Sequence, residues 1–135
     1  MSDKLLAEGY RRFRKRAEQD VVAVCLDLNT DGFSYEKWGD TQRCKAGDWL
    51  VLNGDDTYTI DADTFADTYE NVSPGLYRKV KPVWARATSS AGRVATKEGS
   101  TGYDAGDYLV CNNADGSDAY AISKDRFEET YEPVE

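Results

Sequence analysis

Asp27, Asn29 and Asp31 stand at alternate positions ahead of Gly32, and Glu36 follows four residues later. This is the D-x-[DN]-x-[DN]-G spacing of a calcium loop, in which alternate oxygens and a glycine bend wrap a hard cation. Position twelve of such a loop supplies a bidentate glutamate, but here it is Trp38. The preceding VVAVCL reads as a strand, where the loop calls for a helix. Glu36 is the available stand-in. A hairpin turn rich in Asn, Asp and Gly is written in the same letters. Asp27, Asn29, Asp31 and Glu36 are therefore weak metal candidates, and neither metal nor cofactor is expected. Asn112-Asn113-Ala-Asp115-Gly116-Ser-Asp118 carries the same ambiguity and reads as a hairpin loop.

Composition narrows the remaining chemistry. The chain has no histidine, which removes the usual general base, the Ser-His-Asp and Cys-His arrangements, and His-containing metal sites. Its three cysteines, Cys25, Cys44 and Cys111, form no CxxC pair, and the apolar contexts of Cys25 and Cys111 suggest buried thiols. No GxxxxGK[ST], GxGxxG or GxSxG is present, so ATP, dinucleotide and hydrolase-elbow chemistry lack a motif. With 25 Asp and Glu, no single carboxylate pair stands out for acid–base work. The catalytic set is therefore empty, and the chain leans away from being an enzyme.

Binding chemistry concentrates near the N-terminus. Residues 1–19 carry a charge of +3 and the remainder −11, within a net −8. Arg11, Arg12, Arg14 and Arg16 are partner-binding candidates. Leu6, Tyr10, Phe13 and Ala17 recur at spacings of four, three and four, which predicts a basic amphipathic helix over 1–19. The acidic body repels phosphate backbones, so nucleic acid is reachable only through that helix, and another protein is the expected partner. The longest apolar run is six residues and no apolar leader opens the chain, so the expectation is a soluble cytoplasmic protein without membrane contact.

The elements that position these residues are written twice. AGDWLVLN (46–53) returns as AGDYLVCN (105–112), and the register continues. Tyr58 matches Tyr120, Ile60 matches Ile122, Phe65 matches Phe127, and Thr68-Tyr69-Glu70 matches Thr130-Tyr131-Glu132. Matches in such register indicate an internal duplication. Asp61 and Ser123 fall where an oxygen-bearing side chain caps a helix. The aromatic after each Gly-Asp, Trp49 or Tyr108, reads as packing first and as a partner-binding candidate second. Leu50 and Leu52 alternate with Trp49 and Val51, so one of these sets faces away from its own half and offers a seam between the halves.

The second copy, Tyr77–Ala87 followed by AGDYLV and YAISKDRFEETYEPV, resembles the PGDYG-type domain, a small bacterial and phage domain of unassigned function. The resemblance spans Tyr77 to Val134, with Val21 to Val72 as a diverged copy. Alanine replaces the proline of both motifs, Trp49 stands for the tyrosine, and leucine follows the aromatic where the motif has glycine. The resemblance implies an α+β fold and a prokaryotic or phage setting, and it brings no catalytic residue with it.

The expected architecture is α+β: an N-terminal helix (1–19) followed by two tandem, pseudo-twofold-related β-rich units (20–75 and 76–135), each ending in a short helix. The expected function is a non-catalytic binding or adaptor protein. Two alternatives stand beside it. One is a nucleotide-related enzyme or ligand-sensing accessory, marked by a pocket lined with Arg and aromatic residues. The other is an acidic decoy of a nucleic-acid-binding protein, marked by a continuous acidic face without a pocket.

Overall fold

The computed structural model describes residues 3–16 and 19–134. Along them run α1 (Asp3–Ala7), β1 (Arg11–Lys15), β2 (Val21–Cys25), β3 (Phe33–Lys37), β4 (Asp40–Cys44), β5 (Trp49–Asn53), β6 (Asp56–Ile60), α2 (Ala62–Thr68), β7 (Tyr69–Ser73), β8 (Leu76–Lys79), β9 (Val83–Ala87), β10 (Gly92–Ala95), β11 (Ser100–Tyr103), β12 (Tyr108–Cys111), β13 (Ala119–Ile122), α3 (Lys124–Thr130) and β14 (Tyr131–Pro133). The protein is mostly β, with three short helices among the described residues, which corrects the α+β expectation. The two repeat helices do not end their units either. Each passes directly into a strand, at Tyr69 and at Tyr131.

The basic helix over 1–19 is also corrected. Helix α1 spans only Asp3–Ala7, Gly9 turns the chain at φ 93°, and Arg11–Lys15 forms a strand. Ala17 lies outside the described residues. Arginine and lysine favour a helix locally, but β1 has a strand on either side of it, β9 and β14. Ladder bonds on both edges outweigh a propensity of a few tenths of a kcal/mol per residue.

Two five-stranded antiparallel sheets have matching orders, β6-β5-β2-β8-β7 and β13-β12-β9-β1-β14. Position by position, β6 corresponds to β13, β5 to β12, β2 to β9 and β7 to β14. The strand corresponding to β8 is β1, drawn from the other end of the chain. The registers agree: Lys79 lies opposite Tyr69 and Arg78 opposite Glu70, as Lys15 lies opposite Tyr131 and Arg14 opposite Glu132. Phe13-Arg14-Lys15 thus occupies the place of Tyr77-Arg78-Lys79.

Each sheet packs its helix on its inner face through stacked rings. Phe65 lies between Trp49 (4.2 Å) and Tyr69 (4.6 Å), and Phe127 lies between Tyr108 (4.1 Å) and Tyr131 (4.9 Å). Val21, Ala23 and Val51 floor the first cluster, and Val83, Ala85 and Val110 floor the second. The outer faces differ. On the second sheet, Leu5 and Tyr10 from the α1 region cover Trp84 and Cys111. On the first sheet Val22, Val24, Leu50 and Leu52 remain exposed. Leu50 and Leu52 therefore form no seam between the halves, and the halves meet through their inner sides. Cys25 shares the outward exposure and so is not the buried thiol expected, whereas Cys44 and Cys111 are buried.

The repeated Gly-Asp has one structural task. Asp48 accepts from Lys45 N through one carboxylate oxygen and from Ala62 N, at the start of α2, through the other. Asp107 does the same for Asp104 N and Lys124 N. Each aspartate therefore ties the turn before its strand to the open N-terminus of its helix. No helix among the described residues is long and apolar enough to cross a membrane.

Candidate functional site

The residues singled out for partner binding are largely engaged within the molecule. Arg14 pairs with Glu132 at 2.7 Å, and Arg16 reaches Glu132 and the Glu128 carbonyl. Arg11 donates to the Leu6 and Tyr10 carbonyls, and Arg12 lies over the Trp84 ring. With Arg11, Arg12 and Arg14 on a strand and Arg16 just past its end, the helix that was to carry nucleic-acid contact is replaced by a sheet element. Trp49 and Tyr108 belong to the ring stacks of the two cores.

The calcium-like letters form the approach to the β3–β4 hairpin. Asp27, Asn29 and Asp31 are exposed there, while Glu36 accepts from the Thr41 hydroxyl and Arg43 bonds the Asp31 carbonyl. Gly32 sits at φ 111°, and a Cβ there would collide with the Cys44 carbonyl oxygen. The glycine serves a close backbone crossing.

What the structure does bring together is a cavity of about 320 Å³ between the two halves. Tyr58, Tyr69, Tyr120 and Tyr131, which are two pairs of equivalent positions, wall it along with Ile60 and Ile122. Lys15 and Lys79, also equivalent, enter it from β1 and β8. Alternation in these strands sends Phe13 and Tyr77 into the cores and the lysine two residues later to the same side, over the cavity.

Each lysine crosses to the other half. Lys79 donates to Asn112 Oδ1 (2.9 Å) and Tyr120 Oη (2.8 Å), and its ammonium lies 5.3 Å from the Tyr120 ring centre. Lys15 lies 5.9 Å from the centre of the Tyr69 ring, and no described oxygen accepts a hydrogen bond from it. The helices exchange contacts in the same sense. Thr64 of α2 donates to Asp118 before β13, and Arg126 of α3 reaches Asn53 O and Asp55 before β6.

No described carboxylate pairs with either lysine. The acidic groups on the cavity wall are engaged elsewhere: Asp56 with Lys37, Asp107 with the Asp104 and Lys124 N–H groups, Asp118 with Thr64 and Asn112, and Glu98 with the Asp61 N–H. Burial first, and the charge of Lys15 next, lower Lys79 to about 7. Burial likewise lowers Lys15 to about 8, against the pull of Asp20. Burial raises all four tyrosines, most strongly Tyr69, Tyr120 and Tyr131, so they remain protonated phenols at neutral pH. The site therefore offers hydroxyl donors, ring faces and two cationic groups that lack counter-ions.

Sequence reasoning missed Lys15, Lys79, Tyr58, Tyr120 and Arg126 as site residues. A signal was present, since aromatic-Arg-Lys occurs at both 13–15 and 77–79. Reading the first occurrence as helix hid the match.

Fold and site together define a β protein of two matching sheets with a tyrosine-walled cavity between them, into which Lys15 and Lys79 project. Comparison with known proteins finds no matching family model, curated protein or solved structure. The PGDYG-type resemblance therefore supplies no residue role, and the site is read from its own chemistry.

Proposed function

We propose that the protein is a non-catalytic binding protein whose ligand is a small organic anion held in the cavity between the two halves. One observation carries this reading: two equivalent lysines are directed into a tyrosine-walled cavity with no carboxylate to neutralise them. A buried and a half-buried ammonium group without a carboxylate partner are costly, and an anion between them offsets both the desolvation and their mutual repulsion. The tyrosine faces suit a flat or apolar portion of the same ligand, and their hydroxyls suit its polar edge. A pocket with cationic and aromatic lining favours the ligand-sensing reading over the acidic decoy. A mononucleotide is within the range of sizes that such a cavity admits.

An anion that restores both charges draws protons from solution. Calorimetry with nucleoside monophosphates, aromatic carboxylates and short oxo acids, in buffers of different ionisation enthalpy, tests this. At pH 8 binding is expected with net proton uptake, and a Lys15→Met, Lys79→Met double variant is expected to lose both. Neutral analogues that bind as well as the anions, or anion binding unchanged in the double variant, would overturn the reading.

A further inference from the structure

The lysines differ in their surroundings, and the difference bears on what the ligand carries. Lys79 Nζ donates to two acceptors, Asn112 Oδ1 and Tyr120 Oη, and the Tyr120 hydroxyl itself lies 3.4 Å from Asn112 Oδ1. A neutral amine has two N–H bonds, so both are used by this pair and the remaining position on nitrogen is its lone pair. Lys15 has no such pair of acceptors and stands as an unneutralised cation on the same cavity. A buried amine held by two acceptors beside a second cation is the arrangement that makes lysine a nucleophile toward carbonyl carbon. The lowering of Lys79 to about 7 leaves about half of it as free amine at neutral pH.

Resting on the cavity reading above, we propose that Lys79 captures a small oxo acid covalently as an imine, with the acid group of the same molecule against Lys15. The lone pair of Nζ attacks the carbonyl carbon, and the π pair of the C=O bond moves to oxygen. The nitrogen gives up a proton, which Tyr120 Oη is placed to accept while passing its own to oxygen. Loss of water from the carbinolamine leaves the C=N bond. Amine and carbonyl become imine and one water, with no change of oxidation state. The capture is reversible, which suits a sensor or carrier of a carbonyl metabolite.

The test is reductive trapping. The intact protein is incubated with pyruvate or glyoxylate and cyanoborohydride between pH 6 and 9, and the adduct is located by peptide mass mapping. Lys79 is expected to label more than about tenfold faster than any surface lysine at pH 7.5, because an ordinary lysine is almost wholly protonated there. The rate is expected to fall in Lys15→Met, and Lys79→Arg, which keeps the cation, is expected to give no adduct on that peptide. Acetone, which lacks the acid group, is expected to label more slowly than pyruvate. Labelling spread evenly over exposed lysines such as Lys4 and Lys124, with Lys79 unlabelled, would overturn the inference. If oxo acids also raise the melting temperature in that case, the anion-binding reading survives and only the covalent step fails. If they neither bind nor label anything in the cavity, and no other anion binds, both fail.

Discussion

At the scale of single residues, the molecule places its most unfavourable charges where its ligand chemistry is. Lys79 is 8% exposed and Lys15 is half-buried, yet neither has a carboxylate partner among the described residues. Such a lysine binds its proton more weakly folded than unfolded, so the unfolded chain holds more protons between pH 7 and the ordinary lysine range. Stability therefore rises with pH across that window. Lys79 is faced by Lys15, Lys81 and Asp118, of which only Asp118 favours its charge. In urea titrations the ligand-free protein should gain roughly 2 kcal/mol between pH 7 and 9 from Lys79. Lys79→Met should remove that gain and be more stable than the parent at pH 6. Above about pH 10 the trend reverses, because the unfolded chain ionises tyrosines that the fold keeps protonated. A parent and variant with parallel pH profiles would show that Lys79 is already neutralised in the free protein.

At the scale of elements, β1 carries more than its length suggests. It lies between β9 and β14, contributes Phe13 to the second core at 4.9 Å from Phe127, and brings Lys15 to the cavity. An arm docked on a finished body would be removable, but an interior strand is not. Truncation to residue 19 strips the ladder from one edge of β9 and one of β14 and removes Phe13 from the edge of Phe127. It should abolish the cooperative melting transition and the near-ultraviolet dichroism of the ring stack. A peptide of residues 1–19 added in trans should restore part of both. A truncated protein that still melts cooperatively within a few degrees of the parent would place β1 outside the core. The hairpins form a second joint: Gln42 of β4 donates to Ser100 O of β11, and Arg93 pairs with Asp40 across the same junction.

At the scale of the whole molecule, the chain is a ring of matching parts cut at an unequal place. In the first sheet, β7 passes through the Pro74-Gly75 turn straight into β8. In the second, the position beside β14 is taken by β1, from the other end of the described residues. Joining residue 135 to residue 1 by a flexible linker and opening the chain before Asp20 should therefore give a circular permutant that folds. Both sheets would then be made from consecutive strands. Its dichroism should match the parent and its anion binding should persist. A soluble permutant lacking the ring-stack signal would mean that the correspondence of β1 with β8 does not govern assembly.

The sequence by itself determined the parts that local physics writes. The duplicated AGD-aromatic strands are visible in the residues, and Asp61 and Ser123 both stand at helix starts, although only Asp61 accepts a capping bond there, from Thr64 N, and the Ser123 side chain makes none. Phe65 and Phe127 are buried, since large rings four residues before a second aromatic make one apolar face. Only the tertiary structure decided the rest. Arg11–Lys15 has helical spacing and helix-favouring residues, yet the vacant position between β9 and β14 makes it a strand. The cavity was illegible for the same reason: Lys15 and Lys79 are 64 positions apart, and each meets the tyrosines of the opposite half. Their convergence depends on which strand closes which sheet, and strand pairing between distant segments is set by the burial and hydrogen bonding of the whole assembly, not by any window of sequence.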